Sequence, residues 1–236
     1  RKNKGTLKAL KRFDCFKRKV SKNNTKKVYV LKADIKHYFE TVDHEFLLNI
    51  LKRIIKDKKI IWLAKQILSN FNSKTKGKGM PLGILTSQFF ANVYLNGLDY
   101  FVKYKLKAKY YIRYVDDFVI LDYDKGKLSY YKNNVNEFLK TIKLELQQDK
   151  SKIKKLHRGI TFLGFRVFYH HKLLKKSNIR KMQRKSLSFK ELFDNEVITY
   201  DEIYASFEGW ISYAKHGNTY KLRMKFIKNF EETFKH

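Results

Sequence analysis

Cysteine, proline and acidic residues are scarce in this chain of 236 residues. The single cysteine, Cys15, excludes a disulfide-stabilised scaffold and any zinc site built from several cysteines. The single proline, Pro81, and the ten glycines exclude a collagen-like or linker-dominated chain. Only 22 acidic residues stand against 53 lysines and arginines, which gives a formal net charge of +31. This charge favours a polyanionic partner such as nucleic acid, although the lysine-rich composition of an AT-rich genome would also produce it.

Long apolar runs are missing as well. Residues 79–98 carry no charge over the length of a membrane-spanning helix, but glycines, a proline, amides and hydroxyls interrupt them. We therefore expect no membrane span and interpret this run as backbone packed at the centre of a fold. The start of the chain has no apolar segment of the kind found in secretory signals. An apolar fraction of 43% excludes a disordered basic tail, and the length suits one large domain or two small ones.

The hydrophobic pattern predicts a mixed region at about 28–175, followed by a helical region at about 177–236. The mixed region has the order strand, helices, hairpin, helix and strand, which is typical of a split βαβ unit with inserted helices. Its predicted strands are 28–32, 110–114, 118–121, 144–146, 153–156 and 160–168. Helices are predicted at about 5–16, after Asp43 as N-cap, and at 59–68, 87–104 and 128–142, with breaks near Asp194 and Gly217 in the last region.

The informative feature is a pair of carboxylates, Asp116 and Asp117, at a tight turn between two apolar strands of a very basic chain. Adjacent buried carboxylates repel each other, and a divalent cation such as Mg²⁺ is the usual compensation. Asp34 also ends an apolar strand, so Asp34 and Asp116 could share two metal ions if their strands are neighbours. The alternative is an ordinary surface turn, where aspartate is common.

Five segments, in order, decide between these readings. They are LKADIKHYFETVDH, GMPLGILTSQFFANVYLN, YIRYVDDF, LELQQDKSKI and ITFLGFRVF. This series resembles the motifs of bacterial reverse transcriptases of the group II intron, retron and diversity-generating retroelement branch. The resemblance implies an α+β fold: a right-hand polymerase core with a ferredoxin-like palm, partial fingers and a helical thumb. The implied domains are partial fingers at 1–27, a palm with inserted finger helices at 28–176, and a thumb at 177–236.

The resemblance also assigns roles to individual residues. Asp34, Asp116 and Asp117 match the catalytic, metal-binding carboxylates, and Ile35 would offer its backbone carbonyl to the metal. Asp117 ranks below the other two, because successive side chains near a strand point to opposite sides. Lys150, with Lys152 as the alternative, matches a lysine that would protonate the pyrophosphate leaving group or balance its charge.

Further positions match the nucleotide and primer sites. Phe39 matches the aromatic gate that excludes a 2′-hydroxyl, with Tyr38 as the alternative and core packing as the plainer interpretation. The other implied nucleotide-binding residues are Leu82, Gly83 and Gln88, and the implied primer grip is Phe162, Leu163 and Gly164. Gly164 would permit a close backbone approach. Trp210 is expected to be a core residue of the thumb, and His37, His44 and Cys15 have no metal-ligand spacing.

Two departures from the motif series matter. Leu82 stands where a glutamine is common, and Gln88 stands where a proline is common, which resembles the diversity-generating retroelement enzymes. In that group altered nucleotide contacts accompany errors opposite template adenines. The first fingers strands are also missing from the sequence, so we expect the chain to be a fragment; the alternative is that nucleotide binding is impaired in the chain as it stands.

The resemblance predicts an RNA-directed DNA polymerase that extends a primer on an RNA template. The expected cofactor is two Mg²⁺ ions, with Mn²⁺ as a substitute. The expected partners are the RNA template, a DNA or RNA primer, deoxynucleoside triphosphates and a basic accessory protein of a retroelement. The expected location is the cytoplasm of a bacterium, with the gene in a bacterial or phage genome. Two other functions stay open: a catalytically retired RNA-binding protein and a template-independent polymerase of phage defence.

Overall fold

A computed structural model describes residues 4–71, 75–81 and 83–234 of the chain. The chain divides into two compact units, Arg1–Lys155 and Leu156–His236. The predicted division into fingers, palm and thumb is a finer one and stays a prediction.

The first unit is built on a four-stranded sheet. Its strands are β1 (Tyr29–Asp34), β2 (Tyr111–Tyr114), β3 (Asp117–Asp122) and β4 (Lys152–Lys155). They lie in the order β2–β3–β1–β4, and every neighbouring pair is antiparallel. Helices connect β1 to β2 and β3 to β4, so the sheet has the connectivity of a split βαβ unit. The predicted mixed fold class is therefore confirmed.

Seven α-helices accompany this sheet in the part of the unit that the structure describes. They are α1 (Thr6–Val20), α2 (Tyr38–Thr41), α3 (His44–Ile54), α4 (Lys58–Ser69), α5 (Leu85–Tyr94), α6 (Asn96–Tyr100) and α7 (Lys125–Thr141). Asp43 is the N-cap of α3: its carboxylate accepts a hydrogen bond of 2.8 Å from the backbone N–H of Phe46. The other oxygen of Asp43 pairs with the Lys143 ammonium at 2.7 Å.

Helices cover both faces of the sheet. Val30 and Leu31 are successive residues of β1 whose side chains point to opposite faces, and both are fully buried. Helix α1 packs against β2 and β3, and helix α7 packs against β1 and β3. The core of the unit continues from the sheet into α3 and α5 through Leu47 and Tyr94. This packing fixes the ends of β1 and β3, where the candidate site lies.

The second unit combines a small sheet with three helices. The strands are β5 (Ile160–Phe162), β6 (Phe165–Val167) and β7 (Lys172–Leu174), paired antiparallel in chain order. The helices are α8 (Lys176–Asp194), α9 (Tyr200–Ala214) and α10 (Tyr220–Thr233). They share a core of aromatic and aliphatic side chains that includes Met182, Ile203, Phe207 and Phe230. Trp210 packs partly buried against this core, as expected.

Several predicted elements differ in the structure. The predicted strand 160–168 is two strands, because Leu163 and Gly164 form a turn in its middle. The predicted strand 144–146 is absent: Leu146 makes only an isolated bridge to Ile35. The predicted helix 87–104 is interrupted at Leu95, and after α6 it continues as one π-helical turn, Phe101–Lys105. The predicted breaks near Asp194 and Gly217 are confirmed.

Within the described residues, none of the helices has the length and apolarity needed to cross a membrane.

Candidate active site

Three carboxylates meet at one end of the four-stranded sheet. Asp34 is the last residue of β1 and pairs directly with Asp117, the first residue of β3. Val115 and Asp116 form the two-residue loop that joins β2 to β3, so Asp116 directly precedes the first residue of β3. The sequence alone could not establish that these strands are neighbours, and the antiparallel register of β1 and β3 now brings their ends together.

The position of Asp34 is fixed from both sides of its backbone. Its N–H donates to the Ser151 hydroxyl at 3.3 Å, and its carbonyl accepts from the Gln147 N–H at 2.8 Å. Its carboxylate pairs with the Lys150 ammonium at 3.0 Å. The hydrogen bond to Asp34 raises the pKa of Lys150, so this lysine stays protonated at neutral pH. Of the two candidate lysines, Lys150 is the one that the structure places on a candidate metal ligand, whereas Lys152 is an exposed residue of β4.

Burial raises the pKa of the other two carboxyls. It raises the pKa of Asp116, and the negative charge of Asp34 raises it further. Burial also raises the pKa of Asp117 to about 6, against the opposing charge of Lys32, whose ammonium lies 3.4 Å from the carboxylate. The second oxygen of Asp117 is buried, and no residue that the structure describes hydrogen-bonds to it. A cation bound here would lower both pKa values and satisfy that oxygen.

The donor set suits Mg²⁺, which prefers oxygen ligands. Asp34 is close enough to Asp116 for its charge to raise the pKa of the Asp116 carboxyl, and Asp117 adds an unsatisfied carboxylate oxygen. Ile35 has a buried side chain, so it could contribute only its backbone carbonyl. Among residues 4–71, 75–81 and 83–234, no three His, Cys, Asp or Glu side chains are gathered closely enough to enclose a metal ion by themselves.

The loop that carries Asp116 is strained. Val115, its first residue, has φ +55°, a left-handed conformation that costs a non-glycine residue about 1–2 kcal/mol. The Arg113 guanidinium donates to the Val115 carbonyl at 2.8 Å and holds both oxygens of Asp99, at 2.7 and 2.5 Å. The Tyr111 hydroxyl donates to the same carboxylate at 2.8 Å. Sequence reasoning missed Asp99 and Arg113; a buried arginine within an apolar strand was the available signal.

The predicted nucleotide-binding residues lie in two places. Phe39 is half-buried in α2. Its carbonyl accepts a hydrogen bond from the Met80 N–H at 2.7 Å, which ties the chain before α5 to this helix. Gly83, with φ +88°, and Gln88 are exposed near and on α5. Leu82 lies outside the described residues. Tyr38, the alternative to Phe39, is in the core, and its hydroxyl donates to the Ala91 carbonyl at 2.8 Å.

A basic cavity of about 690 Å³ opens beside the β2–β3 loop. Tyr114 and Val115 form part of its wall, and Gln88 lines it from α5. Cationic side chains provide much of the remaining lining: Lys4, Lys8, Lys11, Arg12, Lys103 and Arg113. The cavity therefore joins the carboxylate loop to a wall in which cationic side chains outnumber the one carboxylate, Asp99.

The predicted primer-grip residues lie in the second unit. Phe162 and Phe165 pair across the β5–β6 hairpin, and Leu163 and Gly164 form its two-residue loop. Both loop residues have positive φ, +45° and +82°. The Tyr213 hydroxyl donates to the Leu163 carbonyl at 3.0 Å, and a Cβ added to Gly164 would lie 2.0 Å from that hydroxyl oxygen. Sequence reasoning also missed Tyr213, which fixes this loop from α9.

Comparison with known proteins agrees with this geometry. The family model described as reverse transcriptase (RNA-dependent DNA polymerase) matches residues 1–167. The putative COX1/OXI3 intron 2 protein of Saccharomyces cerevisiae is 23% identical and matches 59% of this chain and 24% of its own length. The group II intron-encoded protein LtrA of Lactococcus lactis is 33% identical and matches 35% of this chain and 14% of its own length.

A likeness among solved structures concerns the fold. Apo telomerase from Candida tropicalis has a TM-score of 0.53 and 16% identity, and the match covers 68% of this chain and 34% of the telomerase chain. The chain thus spans only a quarter or less of the two intron proteins and about a third of the telomerase. The family model covers well over half of the chain and includes Asp34, Asp116 and Asp117. The chain belongs to the reverse transcriptase (RNA-dependent DNA polymerase) family.

Proposed function

We propose that this chain is the catalytic part of an RNA-directed DNA polymerase that extends a primer on an RNA template with deoxynucleoside triphosphates. The observation that carries the proposal is the meeting of Asp34, Asp116 and Asp117 at the paired ends of β1 and β3. These carboxylates are partly buried and electrostatically coupled. A cavity lined largely by cationic side chains lies beside the loop that carries Asp116. An acidic centre within a basic surface suits a reaction of phosphate esters.

Asp34 and Asp116, with the Ile35 carbonyl, would hold the two Mg²⁺ ions, and Asp117 would contribute beside them. Bound there, Mg²⁺ or Mn²⁺ supplies charge neutralisation at the reacting phosphate and lowers the pKa of the attacking hydroxyl. Lys150 supports this assignment, because its ammonium lies on Asp34 and carries a proton that it could give to the leaving pyrophosphate. The rest of the protein's contribution is positioning of primer, template and nucleotide.

The remaining residues would select and hold substrates. Phe39 would exclude a 2′-hydroxyl under the incoming sugar, with Leu82, Gly83 and Gln88 near the nucleotide. Phe162, Leu163 and Gly164 would hold the primer end, in a hairpin loop whose shape is fixed by the close approach of Tyr213 to Gly164. Residues 1–27, 28–176 and 177–236 would act as partial fingers, palm and thumb around the template–primer hybrid, which is recognised by its backbone rather than by its sequence.

The motif around Leu82 and Gln88 supports a finer assignment, to the diversity-generating retroelement branch, with misincorporation at template adenines. A leucine in place of glutamine removes a hydrogen-bonding side chain near the base pair, which would loosen discrimination between nucleotides. We further propose a bacterial or phage-encoded, cytoplasmic enzyme that works with a basic accessory protein of its element.

Primer extension tests the proposal, with the chain as its gene encodes it, an RNA template, Mg²⁺ and all four deoxynucleotides. Asp116→Asn should lower the rate at least about 100-fold, because it removes a metal ligand. The matched control is Asp201→Asn, an acid-to-amide change at an exposed position of α9, which should leave the rate within twofold. Sequencing of the products should show fewer errors at template adenines for Leu82→Gln.

Each rival function predicts its own result in this assay. Tight RNA binding without extension would favour the retired, RNA-binding protein. Extension that continues without a template would favour template-independent synthesis. Extension that survives Asp116→Asn would contradict the proposed catalytic centre, and unchanged errors in Leu82→Gln would contradict the proposed role of Leu82.

A further inference from the structure

The peptide bond between Val115 and Asp116 decides where the Asp116 carboxylate points. Val115 is β-branched and has φ +55°, a conformation that such residues adopt only when their surroundings impose it. Asp116 itself has negative φ, so the unusual geometry is confined to the residue before it. Whatever holds the Val115 carbonyl therefore holds the direction of the next side chain.

Arg113 holds that carbonyl. One of its terminal nitrogens donates to the Val115 carbonyl at 2.8 Å, while Nε and the other terminal nitrogen hold Asp99. The side chain is only 4% exposed, so the guanidinium has little water to turn towards. A guanidinium presents its donors in a rigid plane, so holding one edge of that plane on Asp99 also fixes the direction in which the remaining nitrogen donates to Val115.

Asp99 anchors the guanidinium to the core. Its carboxylate also accepts from the Tyr111 hydroxyl at 2.8 Å. It lies on α6 beside Leu98, which is fully buried, and the helix runs on into a π-helical turn where Phe101 stacks on Phe138 of α7 at 4.5 Å. π-helical turns are rare in proteins, and those that occur often lie at functional sites. The loop is thus tied through one ion pair to a packed helix rather than to solvent.

We propose that Asp99 and Arg113 are positioning residues that hold the Val115–Asp116 peptide in the orientation in which Asp116 binds divalent metal. The inference rests on the proposed function only in that Asp116 is a metal ligand there. It assigns to an ion pair outside the carboxylate cluster an influence on metal affinity that acts through the Val115–Asp116 peptide. A purely structural ion pair would influence stability alone.

Binding of Mn²⁺ to the chain without template or nucleotide, followed by electron paramagnetic resonance, tests the proposal independently of polymerisation. Asp99→Asn should raise the dissociation constant for Mn²⁺ about 10-fold, the scale on which residues behind a metal ligand act. Arg113→Lys should do the same, because a single ammonium cannot reach both Asp99 and the Val115 carbonyl. In primer extension, both variants should need about 10-fold more Mg²⁺ for half-maximal rate.

Asp43→Asn is the matched control. Asp43 also forms an ion pair within the first unit, with Lys143, but among the described residues no hydrogen bond or ion pair joins its side chain to the β2–β3 loop. It should lower the melting temperature while Mn²⁺ affinity stays that of the wild type. Asp99→Asn or Arg113→Lys with lowered melting temperature and unchanged Mn²⁺ affinity would overturn the proposal; if Asp99→Asn fails to fold, Arg113→Lys alone decides.

A further variant separates this proposal from the proposed function. The Asp116→Asn variant should lack the tightest Mn²⁺ site of the wild-type chain. If Asp116→Asn binds Mn²⁺ as the wild type does, the metal site itself is wrong and the inference falls with it. If Asp116→Asn loses the Mn²⁺ site while the Asp99 and Arg113 variants bind Mn²⁺ as the wild type does, the metal site stands and the positioning role is refuted.

Discussion

The β2–β3 hairpin of the first unit and the β5–β6 hairpin of the second unit have the same plan. Each has a two-residue loop, and in each the carbonyl of the first loop residue accepts a hydrogen bond from a side chain. Arg113 donates to Val115 in the first hairpin, and Tyr213 donates to Leu163 in the second. The two loops differ in the residue that follows.

The difference lies in the backbone of the second loop position. In the β5–β6 loop both residues have positive φ, as in the type I′ turns that match the twist of the strands, and the second position is Gly164. In the β2–β3 loop only Val115 has positive φ, so the second position can carry an ordinary side chain, Asp116. One loop therefore presents a carboxylate, and the other has only a glycine, against which Tyr213 packs.

The largest expected effect breaks the β5–β6 loop. Gly164→Ala places a Cβ 2.0 Å from the Tyr213 hydroxyl oxygen, in a backbone conformation that alanine disfavours. We expect the free energy of unfolding to fall by about 3 kcal/mol, from steric overlap together with left-handed strain. Urea denaturation of the variant and the wild type measures this change.

Two further variants separate the steric part from the strain. Gly77→Ala has a similar φ, +76°, with no atom within 4 Å of the added Cβ, so it should lose only about 1 kcal/mol. Tyr213→Phe removes the overlapping oxygen and should recover part of the loss when combined with Gly164→Ala. Equal losses for Gly77→Ala and Gly164→Ala would show that Tyr213 does not restrict the loop.

The next effect distinguishes the hairpins by pH, because the β2–β3 hairpin carries buried acid and residues 160–167 contain none. Burial raises the pKa of Asp117 to about 6 in the folded chain, above its unfolded value. The stability that the protonated form contributes is present below pH 4 and is lost as the pH rises through 6. In metal-free buffer, the unfolding free energy of wild type relative to Asp117→Asn should therefore fall by about 2 kcal/mol between pH 4 and 7. A difference that does not change with pH would contradict the raised pKa.

The smallest effect concerns the first loop positions. Leu163→Asn should stabilise the chain by about 0.5 kcal/mol, because asparagine tolerates positive φ better than leucine. Val115→Asn gains the same preference but loses packing, since Val115 lies against the core of the first unit. We expect that variant to be less stable than wild type by about 1 kcal/mol. Thermal unfolding of both variants gives the comparison, and two changes of the same sign would refute it.

Much of the fold was predictable from local pattern. The strands around Asp34 and Asp117 are apolar and β-branched, and the order of elements specifies the split βαβ connectivity. The predicted strand 160–168 was wrong because an almost continuous apolar run hides a turn whose only local signal is Gly164. The break of the helix at Leu95 was missed because nothing in the side chain of leucine interrupts a helical pattern.

The candidate site was predictable only as far as single residues go. Asp34, Asp116 and Asp117 each stand out as a carboxylate at the end of an apolar strand. Their partners do not, because Lys32 and Lys150 are two of many lysines and the pairing follows from the register of β1 with β3 and from the loop before β4. The Arg113–Asp99 pair joins a strand to a helix through packing that no local pattern encodes.

The two lysines on the carboxylate cluster also affect how a divalent ion would enter the site. Lys32 and Lys150 pair with Asp117 and Asp34 in the folded chain, so part of the repulsion between the strand ends is relieved without a divalent ion. The Lys150 ammonium is largely in solvent, and it can swing away at little cost when a more highly charged ion arrives. A divalent ion bound at this site would therefore take the place of the Lys150 ammonium on Asp34.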